Sequence, residues 1–259
     1  MKNRINKLFK DKENNILSVF FTAGYPHLED TVPTIQELVK NGVDMIEIGM
    51  PFSDPVADGP AIQQSSLVAL NNGMSVRVLF EQLKHIRQSV EVPLILMGYI
   101  NPVLQYGMEA FCQKCKEIGI DGLIIPDLPL GVYQEEYQSI FEENNLHNIF
   151  LITPQTSDER LRQIDQASSG FIYMVSSNST TGAKAGVTDV QNQYFERIKA
   201  FHLNNPRMIG FGISNADTFR NACHYANGAI IGSAFVNALA AQDPLTEKVA
   251  RFIATIRGR

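Results

Sequence analysis

The chain has 259 residues, of which 44% are hydrophobic and 19% are charged, a composition typical of a folded globular protein rather than a disordered one. Its net charge of −5, without a basic stripe, argues against a nucleic-acid-binding protein. No apolar run approaches the roughly 20 residues that a membrane-spanning helix needs. There is no signal peptide, and the three cysteines cannot all pair within the chain, so we expect a cytoplasmic protein.

Short β-branched runs alternate with amphipathic stretches along the whole chain. The first ten residues, MKNRINKLFK, predict a leading helix that closes one end of the fold. Eight runs then predict strands, at residues 16–22, 43–49, 93–99, 120–127, 147–153, 169–175, 207–212 and 228–233. The clearest helical segments between them are EDTVPTIQELVKNG, VRVLFEQLKHIRQS and GVYQEEYQSIFEENN.

Strand followed by helix, repeated eight times, predicts parallel βαβ units with right-handed crossovers. Eight such units in about 250 residues match the size of a TIM barrel. We therefore predict an α/β fold, a (β/α)8 barrel with an extra N-terminal helix, and a single domain over residues 1–259, since no linker interrupts the composition. An open, doubly wound sheet is the alternative, because a strand count read from sequence can change by one or two.

In a barrel, function belongs to the loops at the C-terminal ends of the strands. Glycine followed by small hydroxyl residues recurs there in the last two of these loops, as Gly212 with Ser214 and Gly232 with Ser233. The loop after the sixth strand adds the adjacent Thr181 and Gly182. Backbone N–H groups at such helix starts can bind an anion, and their recurrence favours a phosphate monoester as the ligand. The alternative is that these glycines serve only the geometry of the turns.

Glu47 is the first candidate for chemistry. Strand alternation puts it on the face opposite Ile46 and Ile48. If that face is the barrel interior, the pKa of the carboxyl is raised and the group suits acid–base work near neutral pH. The alternative is a carboxylate at a strand end, in water or in a salt bridge.

Asp58 lies in a loop stiffened by Pro51, Pro55 and Pro60. Because proline fixes φ, this loop loses little entropy when it holds one shape, and Asp58 can be aimed at a ligand. Asp54 in the same loop has a simpler interpretation, an Asx turn before the second proline.

Other kinds of site find little support in the sequence. Histidines and carboxylates do not cluster at metal-ligand spacing, so we predict no metal. Cys112 and Cys115 spell C-x-x-C on a predicted helix and are interpreted as packing residues. What remains is two carboxylates, a phosphate site and an apolar mouth, which predict acid–base chemistry on a phosphorylated substrate with a flat apolar end. The residues that offer this mouth are Phe20, Met97, Tyr99, Ile124 and Tyr173.

The segment EIGMPFSDPVADGPAIQ closely resembles the signature of the tryptophan synthase alpha subunit family. The similarity continues in order through FFTAGYP, MGYINP, GLIIPDLP, FIYMVS, GFGIS and IIGSAFV, at the strand-exit positions. It implies a TIM-barrel lyase of L-tryptophan biosynthesis. This enzyme cleaves indole-3-glycerol phosphate to indole and glyceraldehyde 3-phosphate by a retro-aldol reaction.

The resemblance also implies site roles. Glu47 matches the catalytic acid–base group, and Asp58 matches the carboxylate that accepts the indole N–H. The positions matching the indole pocket are Phe20, Met97, Tyr99, Ile124, Leu151 and Tyr173. The positions matching the phosphate site are Gly182, Phe211, Gly212, Gly232 and Ser233, and Thr181 with Gly182 is expected to close over the substrate. Ser177 and Ser179 depart from the residues common in the family, which affects closure of that loop more than the reaction.

A partner follows from the same resemblance. Alpha chains bind a beta subunit in an alpha2-beta2 tetramer, and pyridoxal phosphate is expected only on that partner, with no cofactor on this chain. The loop at 51–60 and the segment NPVLQYG correspond to the contact surface, and Asp54 resembles a residue that communicates across it. Two other hypotheses stay open. One is a regulatory partner with negligible turnover of its own. The other is a barrel isomerase of another sugar phosphate, which would need a base or metal site that the sequence does not offer.

Overall fold

The structure is a computed structural model that describes residues 3–175, 189–210 and 212–259. Within these ranges, no helix is both long and apolar enough to cross a membrane. The strands are β1 Ile16–Thr22, β2 Met45–Gly49, β3 Leu94–Met97, β4 Gly122–Ile124, β5 His147–Asn148, β6 Phe150–Ile152, β7 Ile172–Val175, β8 Arg207–Gly210 and β9 Gly228–Ile231.

The helices alternate with the strands. They are α1 Arg4–Asp11, α2 Thr31–Lys40, α3 Pro60–Asn71, α4 Val76–Leu83, α5 Ile100–Tyr106, α6 Met108–Ile118, α7 Leu130–Val132, α8 Gln138–Glu143, α9 Asp158–Ala167, α10 Asp189–Ala200, α11 Ala216–Tyr225, α12 Ser233–Leu239 and α13 Leu245–Arg257. A π-helical segment, Tyr133–Tyr137, joins α7 to α8, and short 3-10 turns lie at Leu28–Asp30 and Ile86–Gln88.

All strand pairs are parallel, in the order β5-β4-β3-β2-β1-β9-β8-β7-β6. The two end strands of this order are consecutive in the chain and are separated only by Ile149, whose N–H donates to the Leu123 carbonyl at 2.9 Å. They therefore act as one strand that pairs with β4 on one side and with β7 on the other. The sheet closes into a barrel, so the TIM-barrel prediction is confirmed and the open-sheet alternative is wrong.

Strand register divides the apolar side chains into two layers. Leu17, Val19 and Phe21 of β1 point outward and pack in the core between the barrel and its helices. The alternate positions point inward and form a separate interior cluster, which contains Met45 and Ile124. Because both faces of each strand are buried, the strands read in sequence as nearly continuous apolar runs.

Helix α1 closes the barrel at the end where the strands begin. Ile5 is fully buried in the interior cluster, and Leu8 and Phe9 pack against it. The ring centroids of Phe9 and Phe171 are 5.9 Å apart. Asn3 caps the helix by accepting from the Ile5 N–H at 2.9 Å. The predicted leading helix is confirmed, and it lies at the end opposite to the C-terminal ends of the strands.

Several strands end earlier than the sequence predicts. The third and fourth were expected to reach residues 99 and 127, but β3 ends at Met97 and β4 at Ile124. Tyr99 instead takes the N-cap position of α5, and Pro126 has no N–H to offer a strand ladder. The residues that follow these shorter strands belong to the segments at the C-terminal end of the barrel.

The C-x-x-C pair belongs to the packing of α6, as predicted. Cys112 and Cys115 are both fully buried in the core between barrel and helices. Burial raises the pKa of the Cys112 thiol to about 12 and also raises that of Cys115. Thiols that stay protonated in an apolar layer neither bind metal nor react readily.

Candidate active site

A cleft with about 370 Å³ of empty space, open solvent included, lies at the C-terminal ends of β1, β2 and β3. Phe20, Met97 and Tyr99 line it, together with Asp58 and with Phe52 from the loop after β2. Three of the six residues assigned to the apolar pocket from sequence are therefore brought together with one of the two carboxylates.

Glu47 points into the barrel from β2 and has no exposed surface. The Ser18 hydroxyl donates to its Oε1 at 2.9 Å, and its Oε2 accepts no hydrogen bond from any residue in the described ranges. Burial raises the pKa of this carboxyl to about 8, and the Ser18 hydrogen bond opposes the rise. The carboxyl is thus mostly protonated at neutral pH, unlike a carboxylate in water or in a salt bridge.

Phe20 is beside Glu47 on the neighbouring strand and lines the cleft. Its Cα is in register with that of Glu47 on the neighbouring strand, and its ring covers Gly49. A Cβ atom on Gly49 would come within 2.5 Å of Phe20 Cζ, so glycine is the residue that lets the ring take this place. Glu47 itself has no exposed surface, and this burial is the cause of its raised pKa.

Asp58 is half-buried in the loop between β2 and α3. Its backbone N–H donates to the Pro55 carbonyl at 3.0 Å. The Tyr99 hydroxyl donates to Asp58 Oδ2 at 3.1 Å and accepts from the Ala57 N–H at 2.9 Å. Burial raises the pKa of Asp58, and the Tyr99 hydrogen bond opposes this. The carboxylate is held in place both by its own loop and by the residue that follows β3 and caps α5.

Two other acids have structural partners. The carbonyl of Asp54, rather than its carboxylate, accepts from the Val56 N–H at 2.9 Å, while the carboxylate accepts from the Ser53 hydroxyl. The Asx-turn interpretation is therefore wrong, because a backbone turn takes its place. Asp127 Oδ1 accepts from the Ile100 N–H at 2.9 Å and so caps α5.

The remaining predicted pocket residues lie deeper or further away. Tyr173 is buried inside the barrel, and the charges of Glu47 and Asp58 add to burial in raising the pKa of its hydroxyl, so both carboxylates are near it. Ile124 is fully buried in the same interior cluster. Leu151 packs against that cluster, and it also lines a second cavity beside the loop after β4, outside the cleft that holds Asp58.

Three of the predicted phosphate-binding residues, Gly212, Gly232 and Ser233, lie in the described part of the chain, just after β8 and β9. Gly232 precedes α12 and Ser233 begins it, and a Cβ atom on Gly232 would lie 3.5 Å from Phe20 Cδ1. The first N–H groups of a helix have no partner within the helix and can bind an anion. Gly212 has a φ of +78°, which favours glycine, but the neighbouring Ser214 N–H already donates to Thr218 Oγ1 at 3.1 Å.

Thr181, Gly182 and Phe211 fall outside the described residues, and so do Ser177 and Ser179. Sequence reasoning also missed residues that the structure brings to the site. Ser18 contacts Glu47, and the Phe52 ring packs on Tyr99 at 5.2 Å between centroids. Ile62 packs with Phe20. The available signal was the hydroxyl of Ser18 inside the apolar run ILSVFFT, two positions before Phe20.

This arrangement combines a buried carboxyl that exchanges a proton near neutral pH, a fixed carboxylate, and an apolar cleft beside a helix start. It suits proton transfer to and from a flat apolar group that carries an anionic tail. Within the described residues, no three His, Cys, Asp or Glu side chains are grouped as metal ligands would be.

Comparison with known proteins gives consistent matches over the full length. The sequence model of the tryptophan synthase alpha chain family matches residues 6–258. The tryptophan synthase alpha chain of Flavobacterium johnsoniae is 62% identical over 256 residues, which cover 98% of this chain and 100% of the relative. That of Phocaeicola vulgatus is 57% identical over 248 residues, with 96% of each chain covered.

Solved structures agree with these relatives. The tryptophan synthase subunit alpha of Legionella pneumophila superposes with a TM-score of 0.89 at 33% identity and covers 100% of this chain and 98% of its own. A tryptophan synthase from M. tuberculosis in an aminoacrylate-bound form has a TM-score of 0.86 at 29% identity, with 98% of each chain covered.

Proposed function

Because the chain belongs to the tryptophan synthase alpha chain family, we propose that Glu47 and Asp58 divide the proton transfer and charge stabilisation of its reaction between them. The enzyme is a lyase of tryptophan biosynthesis that cleaves indole-3-glycerol phosphate to indole and glyceraldehyde 3-phosphate. The observation that carries the assignment is the buried carboxyl of Glu47, whose pKa of about 8 lets it both donate and accept a proton at neutral pH.

The reaction breaks the bond between indole C3 and the first carbon of the glycerol chain. A proton added to C3 turns the ring into an iminium-like electron sink. The electron pair of the breaking bond then returns to the ring, and the adjacent hydroxyl loses its proton as it becomes the aldehyde. Glu47 gives the first proton and takes the second, so the carboxyl ends the cycle in its starting state.

Asp58 acts on the opposite side of the ring. A positive charge develops at the indole nitrogen when C3 is protonated, and a fixed carboxylate beside the N–H stabilises it. The two hydrogen bonds of the Tyr99 hydroxyl, to Asp58 and to Ala57, support this role because they hold the carboxylate before substrate arrives. Phe20, Met97 and Tyr99 then provide the apolar cleft for the ring.

The phosphate group binds at the start of α12, through the backbone around Gly232 and Ser233, with Gly212 beside it. The short distance from Gly232 to Phe20 supports this, since the glycerol chain has to bridge ring and phosphate. Thr181, Gly182 and Phe211 complete this end of the site in our proposal, from outside the described residues.

The assay is direct. Purified protein is mixed with indole-3-glycerol phosphate, with and without a beta subunit, and free indole is followed. We expect indole release by the unaltered chain and a loss of at least about a hundredfold in kcat for Asp58→Asn, which cannot neutralise the ring nitrogen. Absence of indole under both conditions would refute the assigned roles.

The partner is a beta subunit that holds pyridoxal phosphate, in an alpha2-beta2 tetramer in the cytoplasm. The loop at 51–60 and the segment at 101–107 form the contact surface. Val56 in the loop is 83% exposed and Leu104 on α5 is 47% exposed, and exposed apolar side chains in these two segments favour a protein interface. We expect Val56→Asp and Leu104→Asp to reduce co-purification with a beta subunit. Leu67→Asp, which changes a 53% exposed leucine on α3, is the control that keeps binding.

A further inference from the structure

Ser18 is a buried hydroxyl in the middle of an apolar strand. It has no exposed surface and lies on the inward face of β1, in register with Met45 of β2 and Ile230 of β9. Burying a hydroxyl without a hydrogen-bond partner is costly, so the partner of Ser18 explains why serine is tolerated at this position. That bond goes to Glu47, the residue two positions beyond Met45 on the same inward face, with 2.9 Å between Oγ and Oε1.

The bond makes the two oxygens of Glu47 unequal. Oε1 accepts the Ser18 hydroxyl hydrogen, whereas Oε2 accepts nothing from the described residues. A hydrogen bond also fixes the rotation of the carboxyl, which otherwise turns freely about its last torsion. Among the described residues, Tyr173 on β7 is a titratable group on another element whose pKa responds to the charge of this carboxyl, and it responds to the charge of Asp58 as well.

We propose that Ser18 is a positioning residue, whose hydroxyl holds Oε1 of Glu47 so that Oε2 is the oxygen that exchanges protons with the substrate. The assignment rests on the proposed role of Glu47 as the acid–base group. It gives the proton one defined site, since an oxygen that already accepts a hydrogen bond is the weaker base of the two. It also explains why a polar side chain stands in this apolar strand.

Removal of the Ser18 hydroxyl should shift the pKa of Glu47 in a definite direction. Because the Ser18 hydroxyl stabilises the ionised form, Ser18→Ala raises the pKa of Glu47 further. We expect the pKa to rise by about one, the size that corresponds to one hydrogen bond to a charged group. A residue that served packing alone would leave this titration unchanged.

The titration is measured by ¹³C NMR of the side-chain carboxyls in the full chain, with the Glu47 signal identified by its loss in Glu47→Gln. This readout does not depend on turnover. A titration midpoint of Glu47 in Ser18→Ala that stays within about 0.2 of the midpoint in the unaltered chain overturns the proposal. A shifted titration in a chain that releases no indole instead refutes the assigned reaction of Glu47 and leaves its contact with Ser18 standing.

Kinetics give the second readout. We expect Ser18→Ala to lower kcat about tenfold with KM within about twofold, and to move the limb of the kcat–pH profile governed by Glu47 to higher pH.

Thr34→Val is the matched control, since the Thr34 hydroxyl is equally buried but lies on α2 and accepts and donates no hydrogen bond among the described residues. If Ser18→Ala does not fold, Ser18→Cys keeps the size with a weaker donor and shifts the same limb in the same direction, by less. A limb that stays in place in a folded Ser18 variant contradicts the proposal.

Discussion

The hydroxyl of Tyr99 donates to Asp58 Oδ2 at 3.1 Å and accepts from the Ala57 N–H at 2.9 Å. One side chain at the N-cap of α5 therefore holds two neighbouring points of the loop between β2 and α3. The prolines limit the conformations of this loop, and the two hydrogen bonds of Tyr99 hold the loop in one of them.

Tyr99→Phe removes both hydrogen bonds and keeps the ring. We expect kcat/KM for indole release to fall about tenfold, because Asp58 loses a fixed position and its pKa rises without the Tyr99 donor. Steady-state kinetics measure this. Tyr194→Phe is the control, since it loses a buried hydroxyl that donates to the Ile152 carbonyl at 3.2 Å, away from the cleft. Equal kcat/KM for Tyr99→Phe and the unaltered enzyme would mean that the hydroxyl does not order the loop.

The raised pKa of Glu47 links activity to stability. The carboxyl titrates near 8 in the fold and near its usual value of 4.5 when unfolded, so the folded state keeps a proton that the unfolded state releases. Its contribution to stability is present in full below pH 4.5 and is lost progressively as the pH rises to about 8.

Glu47→Gln should therefore be more stable than the unaltered chain at pH 8 and nearly equal to it at pH 4.5. The expected difference at pH 8 is on the order of a few kcal/mol, because each tenfold difference in proton affinity between the two states corresponds to roughly 1.4 kcal/mol. Urea unfolding at both pH values measures it. A constant difference would show that burial does not perturb this carboxyl.

Gly210 is a second glycine, after Gly49, that leaves room for an aromatic ring. A Cβ atom there would come within 2.1 Å of the Tyr173 hydroxyl oxygen. Gly210→Ala therefore displaces the Tyr173 ring, whose hydroxyl lies near both carboxylates, and we expect kcat/KM to fall at least about tenfold and stability to fall by about 1–3 kcal/mol. Gly131→Ala is the matched control, because a Cβ atom on Gly131 meets no described atom within 4 Å. Similar kinetics for the two variants would contradict the placement of Tyr173.

A substitution of Ile5 tests whether stability can be lowered without a change in catalysis. It is fully buried where α1 closes the barrel, at the end opposite to the cleft. We expect Ile5→Ala to lower the free energy of unfolding by about 3 kcal/mol and to leave kcat/KM of the folded protein unchanged. Urea unfolding and kinetics at low temperature measure the two effects, and Lys7→Ala on the exposed face of α1 should change neither. A loss of catalysis in the folded Ile5 variant would mean that α1 acts on the site.

Much of the architecture could be predicted because it follows from local patterns. The alternation of apolar runs and amphipathic stretches is enough for the barrel, and alternation within β2 is enough to set Glu47 apart from Ile46 and Ile48. Strand ends were less predictable. Tyr99 takes the N-cap position of α5 instead of continuing β3, and this change is not visible in the run PLILMGY.

The side-chain contacts within the site could not be predicted from the sequence for a different reason. Ser18 and Glu47 are 29 residues apart, and Asp58 and Tyr99 are 41 apart. The first pair meets because β1 and β2 are in a particular register, and the second because the loop after β2 reaches the start of α5; periodicity specifies neither contact. The hydrogen bond from the Ile100 N–H to Asp127 Oδ1, between residues 27 apart, is likewise not specified by periodicity.

The central claim is that Glu47 transfers the protons of the cleavage reaction. Its most direct test is single-turnover indole release by Glu47→Gln, alongside the dissociation constant of indole-3-glycerol phosphate, because glutamine keeps the shape of the side chain and cannot exchange its proton. We predict that the rate falls at least about a hundredfold while the dissociation constant stays within a fewfold of that of the unaltered enzyme. Indole release by Glu47→Gln at a rate near that of the unaltered enzyme would contradict the claim.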